Sequence, residues 1–422
     1  MWSFETDEAF ERELAWMRSF IQERVLPLEV LELEDDAFTA AVAPLQQEVK
    51  ARGLWAAHLD PAHGGQGFGQ VKLGLMHEII GRSRFAPVVF GNQAPDSGNS
   101  EILALHGSPD QKERWLRPLL DGRMRSAYVM TELNTAGADP RLLKMSAVEV
   151  DGGWRLDGEK WMITNASLAD FFIVMVVTDP DSAPYRRTSQ FIVPAGTPGV
   201  EVVREIGTME DPWPSWGQEN NHAVVHFTDV RVPDSAMLGG RGDGFLISQE
   251  RLGPGRIHHC MRWIGQASRA LDMLCERVIY RESHGSVLAE KQTIQNWIAD
   301  SWTQIHAARL MTLHAAWKID TLGVKAARTE ISAIKFWGAA MLHDVIDKAL
   351  QAHGSLGYSS DLPLEGMYRH ARAARLYDGP DEVHRQVVAR QVLKGYTAPA
   401  DGVPTEHVPT RRAAALVALE SQ

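Results

Sequence analysis

Phe171-Phe-Ile-Val-Met-Val-Val177 is too short for a core helix and dense in β-branched and aromatic residues, so it is a strand. Five other segments share that texture: Ser146–Val150, Trp154–Leu156, Ser189–Val193, Val200–Val203 and Ala223–Phe227. Gly, Pro and Asp turns bound them, which predicts a small antiparallel β domain over 126–240. On the N-terminal side, Phe10, Leu14, Met17 and Ile21 recur at spacings of three and four, the stripe of a core-facing helix. Residues 1–125 therefore read as an all-α domain, punctuated at Pro27, Gly53 and Pro87. The Gly64–Gly69 run has no strand before it and no Lys-Ser/Thr after it, so it is a plain loop. From Phe245 to about Tyr396 the helical period returns, and 241–396 is expected to be a four-helix bundle. A tail, 397–422, follows, either mobile or packed on another subunit. The expected class is α+β multidomain: helical, then β, then helical bundle.

The chain has 422 residues, 44% hydrophobic and 23% charged, which is the make-up of a globular protein of several domains. A net charge of −11 argues against nucleic acid as partner. Cys260 and Cys275 lack metal-ligand spacing and read as reduced core residues. Glu5, Asp7, Glu8, Glu11 and Glu13 are foreign to a secretory or transit segment, and no apolar run is long enough to span a membrane. The terminal Glu-Ser-Gln carries no address signal. A cytoplasmic location is expected.

Near the end of the bundle, Arg375-Leu-Tyr-Asp-Gly-Pro-Asp-Glu-Val-His-Arg-Gln-Val-Val388 places Asp378 at a Gly-Pro helix break. Two readings stand. The acid projects into a cavity as a base, or it is a turn or cap residue of the next helix. His258 and His259 suggest a metal pair, but adjacent helix positions do not face one another, and no metal site is expected.

Six motifs in this order resemble the acyl-CoA dehydrogenase family over about 6–396. They are Tyr128-Val-Met-Thr131-Glu132 with Gly137-Ala138-Asp139, Gly158-Glu-Lys-Trp-Met-Ile-Thr164-Asn, and Phe227-Thr-Asp-Val-Arg-Val-Pro233 with Gly244-Phe245. Arg281-Glu-Ser-His-Gly285 with Gln292, Gln351-Ala-His-Gly354-Ser-Leu-Gly357, and the Asp378 segment complete the set. Gln93–Asn99, Arg251–Arg262 and Asp378–His384 are similar to the branch that includes mammalian acyl-CoA dehydrogenase family members ten and eleven. The resemblance implies an FAD-dependent enzyme that turns an acyl-CoA into its 2-enoyl-CoA. It further implies electron-transfer flavoprotein as acceptor and a homodimer or homotetramer. Two alternatives share the fold: a nitroalkane-oxidase-like oxidase or monooxygenase, and a non-catalytic FAD-binding assembly subunit.

By the same resemblance Asp378 is the α-proton base, where most of the family has Glu, and Arg256 is an active-site arginine. A second family position for the base is Gly255 here and cannot serve. An effective base near neutrality requires burial to raise the aspartate pKa. Tyr128, Met130, Thr131, Gly137, Ala138, Met162 and Thr164 match flavin-binding positions, with Ala138 and Tyr377 also on the acyl side. Arg281, Ser283 and Gln292 match residues reaching a neighbour's FAD, and Gln351, Gly354 and Ser355 its adenosine side; Pro380 and Glu382 complete the cofactor set. Departures are Met162 for Trp, Leu133 for Pro and His284 for Phe. Trp161 adjoins Met162, but strict strand alternation would turn it to the opposite face. The Met209–Trp216 segment is a rigid aromatic loop, either a lid or a packed connection.

Overall fold

Asp7 opens the first helix by accepting the Phe10 N–H at 2.9 Å. In the computed structural model, which describes residues 3–31, 33, 35–400 and 402–420, that helix is α1 (Glu8–Phe20). Its stripe is as expected: Phe10, Leu14 and Met17 are buried, with Ile21 just beyond its end. Helices α2 (Asp35–Ala51), α3 (Gln70–Ile80) and α4 (Asp96–His106) complete the N-terminal layer. Helix α3 is apolar nearly all round because it is packed on both sides.

One eight-stranded sheet follows. Its strands are β1 (Ser126–Val129), β2 (Ser146–Val150), β3 (Gly153–Thr164), β4 (Phe171–Val177), β5 (Thr188–Pro194), β6 (Val200–Ile206), β7 (His222–Pro233) and β8 (Met237–Leu238). They run in the order β6-β7-β3-β2-β4-β5-β8, with β1 on β4. Strand β4 is buried along its whole length, which explains its uninterrupted apolar run. Strands β2 and β4 coincide with the expected segments, whereas β3 has 12 residues against an expected three. Asp157, Gly158, Glu159 and Lys160 break the apolar alternation of β3, yet its backbone ladder with β7 continues past them. The sheet is antiparallel apart from two parallel pairings, β1 with β4 and the end of β2 with β4.

The bundle is built from α5 (Gly244–Tyr280), α6 (Gln292–Leu322) and α7 (Arg328–His353), then α8 (Leu364–Ala373) and α9 (Asp381–Leu393). Helices α3 and α5 approach closely: a Cβ on Gly265 would stand 2.0 Å from the Glu78 carbonyl oxygen. The tail forms α10 (Val408–Glu420), exposed throughout. Ser421 and Gln422, two of the three C-terminal residues read for an address signal, lie outside the described residues. No helix among the described residues is long and apolar enough to cross a membrane.

The Met209–Trp216 loop joins β6 to β7 and is fastened at its base to the bundle. Arg369 on α8 donates to the carbonyls of Met209 and Glu210, and His370 pairs with the Glu210 carboxylate at 3.0 Å. Trp213 and Trp216 point outward, 91% and 60% exposed.

Candidate active site

Helix α8 ends before a turn in which Asp378 has φ +54°, a left-handed conformation uncommon for a residue with a side chain. Gly379 follows at φ +96°, and Pro380 caps α9. Three helices clamp this turn. The Asp378 carbonyl accepts from Arg256 on α5 and His384 on α9, both at 3.1 Å. Lys335 on α7 donates to the carbonyls of Ala374 at 2.7 Å and Gly379 at 3.2 Å. Arg256 therefore holds the backbone of Asp378 and not its carboxylate.

The carboxylate meets His259, whose Nε2 stands 3.2 Å from Oδ2. Tyr377 forms the adjoining wall: its hydroxyl accepts from Trp263 Nε1 at 2.9 Å, and its ring lies 5.2 Å from that of His259. Burial pushes the Asp378 carboxyl up, but His259, Arg256, Arg251 and Lys335 together outweigh it and hold it below the usual carboxylate range. That overturns the expected upward shift. The protein surroundings are a cage of three cations, Arg256, Arg251 and Lys335, beside a His259 that is neutral at that pH, so the acid stays ionised across neutral pH.

At the sheet edge, the Tyr128 hydroxyl lies 2.6 Å from Ser248 Oγ and accepts from Gln190 Nε2 at 2.9 Å. Arg251 rests over its ring at 4.2 Å and donates to Asn99 at 3.1 Å. Beyond β1, the Met130 carbonyl and Glu132 are both gripped by the fully buried ammonium of Lys160, at 2.8 Å and 3.1 Å. Thr131 and Trp161 exchange two hydrogen bonds, Oγ1 to carbonyl at 2.5 Å and N–H to carbonyl at 2.9 Å. Thr164 Oγ1 is 3.0 Å from His222 Nδ1.

Strict alternation fails at Trp161 and Met162. The β3–β7 register shifts between Lys160 and Ile163, and Met162 takes φ +57°. Lys160 and Ile163 are buried, while Trp161 between them is half-buried and Met162 38% exposed. Both intervening side chains thus turn out of the sheet core. Exposed Met162 and Leu133, the hydroxyls of Thr131 and Thr164, and the buried, unpartnered Thr135 Oγ1 form an apolar surface with a polar rim. A Cβ on exposed Gly137 would come within 3.1 Å of Thr131. An apolar face with hydroxyls at its rim, Thr135 Oγ1 unpartnered, fits a flat heteroaromatic ring.

Three family models match in series: the N-terminal domain of acyl-CoA dehydrogenase over 7–123, its middle domain over 127–230 and its C-terminal domain over 242–393. A probable acyl-CoA dehydrogenase of Mycobacterium tuberculosis, FadE2, is 41% identical over 83% of this chain and 85% of its own length. The chain belongs to the acyl-CoA dehydrogenase family. Mouse acyl-CoA dehydrogenase family member 11 is 41% identical over 84% of the chain, and member 10 is 41% identical over 89%. The chain spans less than half of those two relatives, 45% and 36% of their lengths. Among solved structures, an acyl-CoA dehydrogenase-like protein of Mycobacterium abscessus superposes with a TM-score of 0.86 at 38% identity, covering 93% of this chain and all of that one. Butyryl-CoA dehydrogenase of Megasphaera elsdenii gives 0.79 at 27% identity, covering 93% and 100%.

Not every matched acyl-CoA dehydrogenase position converges on Asp378. Arg281 lies just past the end of α5, ~36 Å along the helix from Arg256 at 1.5 Å per residue. Ser283 is in a short hairpin, Glu282–Ser283 with Ser286–Val287, whose turn holds His284 at φ +49°. Histidine tolerates that conformation better than a bulky aromatic, which accounts for the departure there. Gln292, Gln351, Gly354 and Ser355 are exposed, and Gln351 is ~24 Å along α7 from Lys335. Ala138 is exposed on the loop after β1, and Pro380 and Glu382 begin α9 beside the Asp378 turn.

Two residues beyond the expected set prove central. The sequence offers His259 only as half of a metal pair, and its approach to an acid 119 positions away is invisible to local spacing. Lys160 lies inside the Gly158–Asn165 motif, but nothing local marks it as buried. Among the described residues no group of three or more His, Cys, Asp or Glu could hold a metal ion.

Proposed function

We propose that the chain is an FAD-dependent acyl-CoA dehydrogenase in which Asp378 removes the α proton of an acyl thioester. The observation that carries this is the base turn: an acid in a left-handed conformation, its carbonyl fixed from two helices and its carboxylate caged by cationic groups. Strain of that kind persists where surroundings over-determine it, typically at functional sites. Bound FAD supplies the hydride acceptor for the β carbon. The cage keeps Asp378 ionised and ready to accept a proton. The turn holds its N–H beside the carboxylate, where a thioester oxygen gaining charge would need a donor.

Tyr128, Met130, Thr131, Gly137, Ala138, Met162 and Thr164 would hold the ring system, with Pro380 and Glu382 at its other side. The distance of Arg281, Ser283, Gln292, Gln351, Gly354 and Ser355 from Asp378 supports their serving the cofactor of a second subunit. The active unit on this reading is a homodimer or a dimer of dimers, with electron-transfer flavoprotein as acceptor.

The test is anaerobic mixing of purified holoenzyme with butyryl-, isovaleryl-, lauroyl- and 3-phenylpropionyl-CoA while following flavin absorbance. At least one should bleach it, and Asp378→Asn should slow bleaching more than ~100-fold at unchanged FAD content. Bleaching by Asp378→Asn at the wild-type rate would sink the assignment of the base. Oxygen uptake matching substrate turnover would favour the oxidase reading.

A further inference from the structure

His259 has two neighbours, and they do different things. Its Nε2 faces Asp378 Oδ2 at 3.2 Å. Its Nδ1 receives a hydrogen bond from Arg262 Nη2 at 3.0 Å. A guanidinium only donates, so Nδ1 must carry a lone pair, and the ring's single proton sits on Nε2, towards the acid. Arg262 is itself aimed: its Nη1 donates to His77 Nδ1 at 3.0 Å, and His77 stacks on His258 at 4.3 Å. One turn before His259 on the same face is Gly255, where a Cβ would meet nothing within 4 Å.

We propose that His259 is a positioning residue for Asp378: a neutral imidazole locked by Arg262 as the Nε2–H tautomer, its Nε2 close to one carboxylate oxygen and closing to a hydrogen bond on it when substrate fills the site, so that the other oxygen faces the substrate. This rests on the reading of Asp378 as the base. An aspartate has a short arm and a broad, two-fold terminal torsion, so nothing in its own chemistry selects one oxygen. A fixed donor does. During α-proton abstraction the C–H bond breaks and an O–H bond forms at the free carboxylate oxygen. The α C–H electron pair becomes the Cα–Cβ π bond as the β carbon gives up hydride to the bound acceptor, and His259 neither gains nor loses a proton.

A relay through the ring is closed off, because Nδ1 already faces a cation. Burial and Arg262 pull the His259 pKa down to about 3, against an opposing pull from Asp378. The charged and titratable groups around this pair are Arg251, Arg256 and Cys260 on α5 and Lys335 on α7. His370 on α8, Tyr377 and His384 on α9 complete the ring. Removing His259 leaves those cations in place but deletes a donor to the ionised acid, so the Asp378 pKa rises.

The experiment is stopped-flow flavin bleaching after pH jumps to values from 3 to 9, with the best acyl-CoA of the panel, on His259→Leu, His259→Gln, Arg262→Met and Asp378→Asn. His259→Leu should lose about tenfold in limiting rate with little change in substrate affinity, and its acid limb should move up by about one pH unit. Glutamine carries an amide N–H near the position of Nε2, so His259→Gln should recover most of the rate and return the limb. Arg262→Met should unlock the tautomer and lose part of the rate, while burial, the larger cause of the low His259 pKa, still keeps the ring neutral. A His259→Leu enzyme with wild-type rate and limb overturns the proposal, as does an Arg262→Met enzyme with the wild-type rate. If His259→Leu does not fold, a folded His259→Gln whose limb is displaced overturns it equally. Should Asp378→Asn be dead while His259→Leu behaves as wild type, this inference falls and the base assignment stands. An active Asp378→Asn overturns both.

Discussion

Replacing Lys160 by Met isolates a buried interaction on which the expected cofactor loop depends. The Lys160 ammonium is fully buried and donates to Met130 O and Met175 O at 2.8 Å each and to Glu132 at 3.1 Å. In Lys160→Met the Glu132 carboxylate stays buried with only the backbone N–H groups of Lys144 and Met145, both at 2.9 Å. Removing one partner of such a pair costs ~3–5 kcal/mol, most of it the penalty of the stranded charge. Because a chain of this size need not unfold in one step, the proper assay is amide hydrogen exchange over 126–145. Exchange there should accelerate by about two to nearly four powers of ten, with FAD lost in parallel. Lys160→Met combined with Glu132→Leu should restore most protection, since replacing both members of a buried pair is often neutral. The pH dependence has a defined sign. Burial lowers the Lys160 pKa to about 8, against the upward pull of Glu132, while an unfolded lysine titrates near ~10.4. In that window the unfolded chain binds more protons, so wild-type stability gains from this group as pH rises, and Lys160→Met should lack the gain. Exchange over 126–145 changing by less than about tenfold in the single variant would refute the reasoning.

Asp378→Glu should keep part of the activity with altered chain-length preference, because the longer arm crowds the acyl group; relative rates across the acyl-CoA panel check this. Arg281→Glu should lose FAD while retaining its circular dichroism spectrum, since the change sits on an exposed turn remote from its own Asp378; a fully flavinated dimer would contradict the shared site. Burial raises the Cys260 thiol to about 12, whereas Cys275 is only half-buried. An aromatic disulfide reagent at pH 8 should therefore titrate at most one thiol in the native protein and two in guanidinium.

Much of the fold was legible because it is written locally. The β2 and β4 segments and the Phe10–Ile21 stripe needed only side-chain period, and Asp378 was marked by its Gly-Pro break. What escaped is long-range. The parallel pairing of β1 with β4 joins segments 45 residues apart, from Ser126 to Phe171. The bulge at Trp161 and Met162 depends on how β7 pairs, and nothing in the residues of β3 themselves marks it. The Asp378 environment is assembled from α5, α7 and α9, so a burial argument from one segment had the wrong sign. His259 was hidden for the same reason.

The fastening of the Met209–Trp216 loop sets a tolerance for the whole catalytic gap. Arg369 and His370, which hold the β6–β7 connection, lie only nine and eight residues before Asp378 on the same run of chain. Sheet and Asp378 are thus gauged against each other by one short helix, α8, in addition to the α5 route through Ser248 and Arg256. A shim of even one residue inserted between Arg369 and Asp378 would rotate the base by roughly 100° relative to the sheet, at 3.6 residues per turn. Natural variation in acyl size should accordingly accumulate in the walls of the gap, while the length of this spacer stays constant.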